Sequence, residues 1–221
     1  MALAYDATTK QDSSGYVNSL TFSHTCTGSD LGLIVQIACR TGVADISGVT
    51  YNGVAMTASA TAENTNVCGV TTWKLIAPAS GANDVVVSLG GYKLLTAVAS
   101  SFSGANQTTL VEVVNGGNAT YSDAPSNAVT TLTDGAIVID GLNLQGARTV
   151  TVGASQTDRS NSDHTDANLG QMVVSTEPQA TAGSTTMSHS WTSGDNWAHV
   201  LLAIKPAAAG ATTNSDFLLM F

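Results

Sequence analysis

The sequence predicts an all-β protein, an antiparallel β-sandwich built from two similar halves. Its 21 glycines and abundant Thr, Ser, Ala and Val suit strands joined by tight turns. Apolar residues alternate with a period of two along many short segments, as half-buried strands require. No segment shows a convincing helical period. These observations favour a sandwich or barrel over any helical fold.

One stretch occurs twice without a gap, because Gly81–Gly104 aligns with Gly183–Pro206. The two copies share their apolar alternation, and Leu95 of the first aligns with Trp197 of the second. We interpret them as two copies of one β-unit, with coincidental β-patterning as the alternative. Each unit is too small to close a core alone, so both are expected to pack as one sandwich of about ten strands around a single apolar interior.

The first half-unit is predicted at about residues 16–104, after a short strand or arm at Met1–Ala7 and a polar turn at Gln11–Gly15. Its predicted strands are Tyr16–Cys26, Leu31–Cys39, a hairpin over Val49–Thr57, Cys68–Ala77, Asp84–Leu89 and Leu94–Phe102. The nearly continuous apolar run of Leu31–Cys39 is typical of a strand covered on both faces. Asn52-Gly53 predicts the hairpin turn, since both residues accept positive φ.

The second half-unit is predicted at about residues 128–206. Its predicted strands are Val129–Leu132, Ala136–Leu144, Thr149–Gly153, Gln171–Thr176, Thr185–Trp191 and Trp197–Ile204. The polar, glycine-bearing segment Gln107–Asn127 is interpreted mostly as the connection between the halves, with room for an edge strand at Val111–Val114. Together the halves form one predicted sandwich domain, residues 1–206.

Residues 207–221 are predicted to form a linker and an apolar docking tail. Small residues fill the linker, which is typical of a flexible connection. The chain then ends in Phe217, Leu218, Leu219, Met220 and Phe221, and such a cluster is unfavourable in water. The tail either folds back on its own domain or docks on a neighbouring subunit or partner. We favour docking, because a linker precedes the tail.

Composition narrows the function classes. The chain is 43% hydrophobic, 10% charged and carries a net charge of −9, so direct binding to nucleic acid or to an anionic membrane is not expected. No secretory signal and no apolar run of membrane-spanning length is visible, which predicts folding in a cytoplasm. Cys26, Cys39 and Cys68 do not form a disulfide framework. Cys39 is expected to be a buried thiol, and a Cys26–Cys68 bridge is an open alternative.

No catalytic residue, cofactor or metal site is predicted, because the known catalytic and nucleotide-binding motifs are absent. His189 alternates with apolar residues on one strand face, so we interpret it as a hydrogen-bonded core histidine. His199 falls on the face opposite Val200 and Leu202 and is predicted to lie at the surface.

Two further groups of residues admit a binding role. The acidic segment with Asp158, Asn161, Asp163 and Asp166 could hold calcium, but it lacks the EF-hand pattern, and a solvated loop is the favoured interpretation. Trp191 and Trp197 could stack against a sugar. Because they align with Leu89 and Leu95, we favour core packing for both.

Four motifs resemble a loose group of β-sandwich proteins encoded by bacteriophages and by environmental bacterial genomes. They are VTYNGVAMT (49–57), WKLIAPASGANDVVVSL (73–89), AVASSFSG (97–104) and WAHVLLAIKPA (197–207), and the resemblance covers roughly Leu31–Ala207. It implies a jelly-roll-like sandwich in a virion or surface protein, and it implies no catalytic residues. The absence of a leader before MALAYDATTK favours a virion component assembled in the host cytoplasm.

The expected function is therefore that of a non-enzymatic virion structural protein. A head decoration or cement protein is favoured, with the capsid, other virion proteins and further copies of itself as partners. A glycan-binding or adhesion module of a fibre or surface protein is the alternative. A glycoside hydrolase ranks last, because no pair of carboxylates is placed at the required separation by spacing.

Overall fold

A computed structural model describes residues 1–65, 67–160 and 171–208. All regular elements among these residues are β-strands. The described residues therefore contain no helix that could cross a membrane. The strands are β1 Ala4–Asp12, β2 Val17–Cys26, β3 Gly32–Cys39, β4 Ile46–Tyr51, β5 Val54–Ala55, β6 Thr57–Asn64, β7 Cys68–Ile76, β8 Gly81–Lys93, β9 Leu95–Ser103, β10 Val111–Ser122, β11 Ser126–Thr130, β12 Ala136–Leu144, β13 Thr151–Val152, β14 Thr157–Asp158, β15 Gln171–Gln179, β16 Ser184–Ser190 and β17 Asp195–Ile204. The predicted all-β class is confirmed.

The strands form four antiparallel sheets. The first inner sheet has the order β1-β9-β3-β7-β6 and the first outer sheet β2-β8-β4-β5. The second inner sheet has the order β10-β17-β12-β15-β14 and the second outer sheet β11-β16-β13. Apart from β5, each strand of the first set has a counterpart at the same place in the second set. A common origin of the two sets stays a prediction.

The apolar interior is divided among the sheets. One cluster lies between the two inner sheets and includes Ile34, Phe102, Ile139 and Leu202. Another fills the space between the first inner and first outer sheets, and two smaller clusters belong to the second pair. This differs from the expected two sheets around a single interior. Each set of strands folds into its own pair of sheets, so the inner sheets are covered on both faces.

The inner position of β3 explains its sequence. All eight of its residues are buried, as the continuous apolar run predicts. The hairpin prediction is also confirmed, because β4 pairs with β5. Asn52 and Gly53 connect them with φ of 49° and 75°, the left-handed region that this two-residue turn requires.

Three segments differ from the sequence interpretation. The supposed connection at 107–127 contains the twelve-residue strand β10, and β1 continues through Gln11 and Asp12, where a turn was expected. The strand β6 was not anticipated. All three lie at sheet edges, where only one side of the strand pairs and polar residues are tolerated. Their apolar alternation is correspondingly weak.

Candidate functional site

Three ionisable side chains meet in the interior of the second pair of sheets. Asp140 lies on β12 and His199 on the neighbouring strand β17, whereas His189 reaches them from β16 of the outer sheet. The Oδ2 atom of Asp140 lies 2.7 Å from Nε2 of His189 and 3.1 Å from Nε2 of His199. The three residues are exposed by 3% or less. We call this group the His–Asp cluster.

Further hydrogen bonds hold the carboxylate of Asp140 in place. Its Oδ1 atom accepts from the backbone N–H and from the hydroxyl of Ser175, both at 2.8 Å. The amide of Gln156 donates to Ser175 Oγ at 2.6 Å and lies 3.4 Å from Asp140 Oδ2. Both carboxylate oxygens are thus oriented by neighbours on three strands and a loop.

The outer nitrogens of the two imidazoles differ in their surroundings. Nδ1 of His199 lies 2.9 Å from the side-chain nitrogen of Asn127. An amide N–H donates to an unprotonated ring nitrogen, which places the His199 proton on Nε2, where it points to Asp140. Nδ1 of His189 is buried without a hydrogen-bond partner in the part of the chain that the structure describes.

The electrostatics of the cluster favour one ionised carboxylate and a neutral His199. Burial alone would raise the pKa of Asp140, but the charge and hydrogen bonds of His189 and His199 outweigh it and lower that pKa well below its ordinary value. Burial lowers the pKa of His199, and the hydrogen bond and charge of Asp140 offset this only in part. One carboxylate can compensate at most one imidazolium, so two protonated rings would leave a buried excess charge.

The cluster does not resemble a nucleophile and its base. The Ser175 hydroxyl bonds to the carboxylate and to Gln156, whereas a serine nucleophile needs a hydrogen bond to the imidazole. The donor set, two imidazole nitrogens and one carboxylate oxygen within 4.8 Å of one another, is instead of the kind that binds a metal ion.

The structure tests both histidine predictions. His189 is a buried, hydrogen-bonded core residue, as predicted. The surface prediction for His199 is wrong, because this residue is fully buried. The second outer sheet covers the face of β17 that carries it. Asp140 was missed, although a single carboxylate inside the apolar strand AIVIDGLNL is a signal for a buried polar partner.

The structure also tests the predictions for the two tryptophans, the three cysteines and part of the acidic segment. Trp191 and Trp197 are 8% and 6% exposed, which confirms core packing and leaves no open face for a sugar. The three cysteines are buried free thiols, so Cys39 is as predicted and the Cys26–Cys68 bridge is not formed. Of the acidic segment, Asp158 ends the short strand β14, whereas Asn161, Asp163 and Asp166 lie outside the described residues.

An apolar groove lies where the chain leaves the described fold. It has a volume of about 1000 Å³ and combines residues 1–3, the 132–137 turn, the end of β15 and residues 206–208. Met1 and Leu132 on its rim are 76% and 67% exposed. The predicted docking tail, Phe217–Phe221, lies outside the described residues, nine positions beyond Ala208.

The fold and the cluster define an antiparallel β-sandwich protein with a closed polar centre. No protein-family model matches the chain, and no curated protein matches it significantly.

The buried histidines predict that the protein loses stability on mild acidification. The pKa values of His24 and His199 are lowered from 6.5 in the folded chain by burial. Below pH 6.5 these histidines therefore bind more protons in the unfolded chain than in the folded chain. The free energy of unfolding then falls by up to about 1.4 kcal/mol per pH unit for each histidine. The lowered pKa of Asp140 adds a second fall below pH 3.8. Urea unfolding between pH 7.5 and 2.5 in metal-free buffer measures both windows.

The variant His199→Gln measures the contribution of His199 to the pH dependence of the free energy of unfolding. It is expected to reduce the slope of unfolding free energy against pH between pH 7 and 5, whatever its stability at pH 7.5. His24→Gln, which removes a buried histidine bonded to Thr9, is expected to reduce the slope by a separate share. A slope for His199→Gln equal to that of the unmodified chain would show that His199 does not titrate differently on folding.

Proposed function

We propose that this chain is a non-enzymatic structural protein of a bacteriophage particle. It acts as a head decoration protein that binds the capsid and neighbouring copies of itself. The apolar groove beside the point where the chain leaves the described fold carries this proposal. The motif resemblance supports a role in a phage particle, and the groove supports binding through an apolar segment of a neighbouring chain.

The groove offers apolar surface that a neighbour would cover. Leu132 and Met1 stand largely in water on its rim, and exposed apolar patches of this kind mark interaction sites. Burying a large apolar side chain contributes roughly 1.5–3 kcal/mol before ordering costs. The five tail residues 217–221 match this chemistry.

The occupant that we propose is the tail of a neighbouring copy. Nine residue steps separate Ala208 from Phe217, and an extended chain of that length reaches about 30 Å. The groove of an adjacent copy is in reach of the tail if it lies within that distance. Such a contact joins two different surfaces, so it builds a ring or follows the symmetry of a lattice such as a capsid.

Two variants that remove opposite sides of this contact test the proposal. Deletion of residues 216–221 and Leu132→Glu are each expected to weaken self-association and occupancy on phage particles by more than about 10-fold. A mixture of the two variants restores one intact tail–groove pair and is expected to form heterodimers. Light scattering measures the mass, and sedimentation with particles measures the occupancy.

Val54→Glu is the matched control, because Val54 is also exposed, by 54%, and does not line the groove. It is expected to leave mass and occupancy unchanged. Unchanged mass and occupancy in both groove and tail variants would contradict the docking proposal. Heterodimers that fail to form from the mixture would contradict a tail–groove contact between two copies.

A further inference from the structure

The His–Asp cluster places one buried carboxylate oxygen between two imidazole nitrogens. The carboxylate of Asp140 faces two imidazoles in a fully buried space. A buried negative charge in this position attracts a cation.

The donor atoms are already close to the separations that a metal ion requires. Neighbouring ligands of a four-coordinate ion at bond lengths of about 2.0–2.2 Å lie roughly 3.3 Å apart. Asp140 Oδ2 lies 3.1 Å from His199 Nε2 and 2.7 Å from His189 Nε2. Seating an ion would lengthen these two separations by about 0.6 and 0.2 Å, and all three donor atoms lie within 4.8 Å of one another.

The surrounding residues support two of the three proposed ligands, Asp140 and His199, whereas Nδ1 of His189 has no hydrogen-bond partner among the described residues. Oδ1 of Asp140 is fixed by the backbone and hydroxyl of Ser175. When Nε2 of His199 binds an ion, the ring proton resides on Nδ1, and rotation of the Asn127 amide by half a turn presents its oxygen to that N–H. Such outer hydrogen bonds orient ligating carboxylates and imidazoles.

Gln156 lies between the cluster and the protein surface. It is 9% exposed, contacts the carboxylate from inside, and lines a surface depression of about 320 Å³ together with Gly153 and Ser188. Its Oε1 accepts from the backbone N–H of Ser188 at 2.7 Å. Movement of this one side chain would open the cluster to an ion, and a water could then complete the coordination.

We propose that Asp140, His189 and His199 bind one divalent first-row transition ion of the Zn²⁺ class, through Oδ2 of the carboxylate and Nε2 of each imidazole. Two nitrogens and one oxygen favour such an ion over Ca²⁺ or Mg²⁺, which prefer oxygen ligands alone. The ion joins the second inner sheet to the second outer sheet. This site is independent of the proposed particle role.

Titration of the full, chelator-treated chain with Co²⁺ tests the site. We expect one Co²⁺ per chain, the visible absorption of four-coordinate cobalt, and its loss when Zn²⁺ is added. His189→Gln and His199→Gln are each expected to weaken Co²⁺ binding more than about 100-fold. His24→Gln, which removes a buried histidine of the first outer sheet, is the matched control and is expected to leave binding unchanged.

Imidazole ¹⁵N spectra of the unmodified chain decide the outcome even if the ligand variants do not fold. Addition of Zn²⁺ is expected to shift Nε2 of His189 and His199 and to leave His24 and His164 unchanged. The proposal is overturned if the unmodified chain binds less than one Co²⁺, if binding survives in either ligand variant, or if the shifts occur at His24 or His164.

Discussion

Asp140→Ala is expected to lower the free energy of unfolding by about 3–5 kcal/mol. The carboxylate accepts hydrogen bonds from His189, His199 and Ser175, and its removal leaves these buried donors without a partner. Urea unfolding at pH 7.5, in the presence of a chelator, measures the loss without any contribution from a bound metal.

Two further variants serve as controls for the Asp140→Ala measurement. Asp84→Ala removes an exposed carboxylate on β8 and is expected to change stability by no more than about 0.5 kcal/mol. Asp140→Asn keeps the shape and one acceptor oxygen, so its effect is expected to lie between the other two. A loss below about 1 kcal/mol for Asp140→Ala would show that the donors find water or other partners once the carboxylate is gone.

Asn143→Asp is expected to destabilise the protein by a similar amount, about 3–5 kcal/mol at pH 7.5. Asn143 is fully buried on β12 of the second inner sheet. Its amide nitrogen donates to the backbone oxygens of Cys39 at 3.0 Å and Gly69 at 2.8 Å, both in the first inner sheet. An isosteric carboxylate would instead place negative charge against two carbonyl oxygens in the interior.

The pH dependence distinguishes this cause from a packing defect. Burial raises the pKa of the introduced carboxyl group, so the folded variant binds a proton that the unfolded chain releases. Acidification from pH 7 towards pH 5 should therefore recover part of the lost stability relative to the unmodified chain. Asn143→Ala, which removes the hydrogen bonds and adds no charge, is the control and should show no such relative recovery.

Local sequence patterns predicted the structure correctly wherever a strand's own residues indicate which of its faces are covered. The apolar run of β3 required cover on both faces, and all of its residues are buried. Asn52-Gly53 specified its turn because few other residue pairs accept two positive φ values. His189, Trp191 and Trp197 were placed in the interior by their alternation with apolar neighbours, and they lie there.

The same patterns failed where the surroundings come from a distant segment. His199 alternates with apolar residues as a surface residue of a one-sided strand would. It is buried because Asn127 of β11 and His189 of β16, both in the second outer sheet, cover it. The sequence of β10 was interpreted as a polar connection, because an edge strand needs few apolar side chains. Asp140 gave no chemical motif, because its partners come from positions 49 and 59 residues further along the chain.

Residue type and spacing were enough to establish an all-β chain, its tight hairpin and its most deeply buried strand, because these depend on backbone preferences and local alternation. The division into four sheets and the meeting of one carboxylate with two imidazoles depend on which faces become covered. That follows from pairing between segments far apart in the chain, where burial and hydrogen bonding are set by the partner and not by the neighbouring residues.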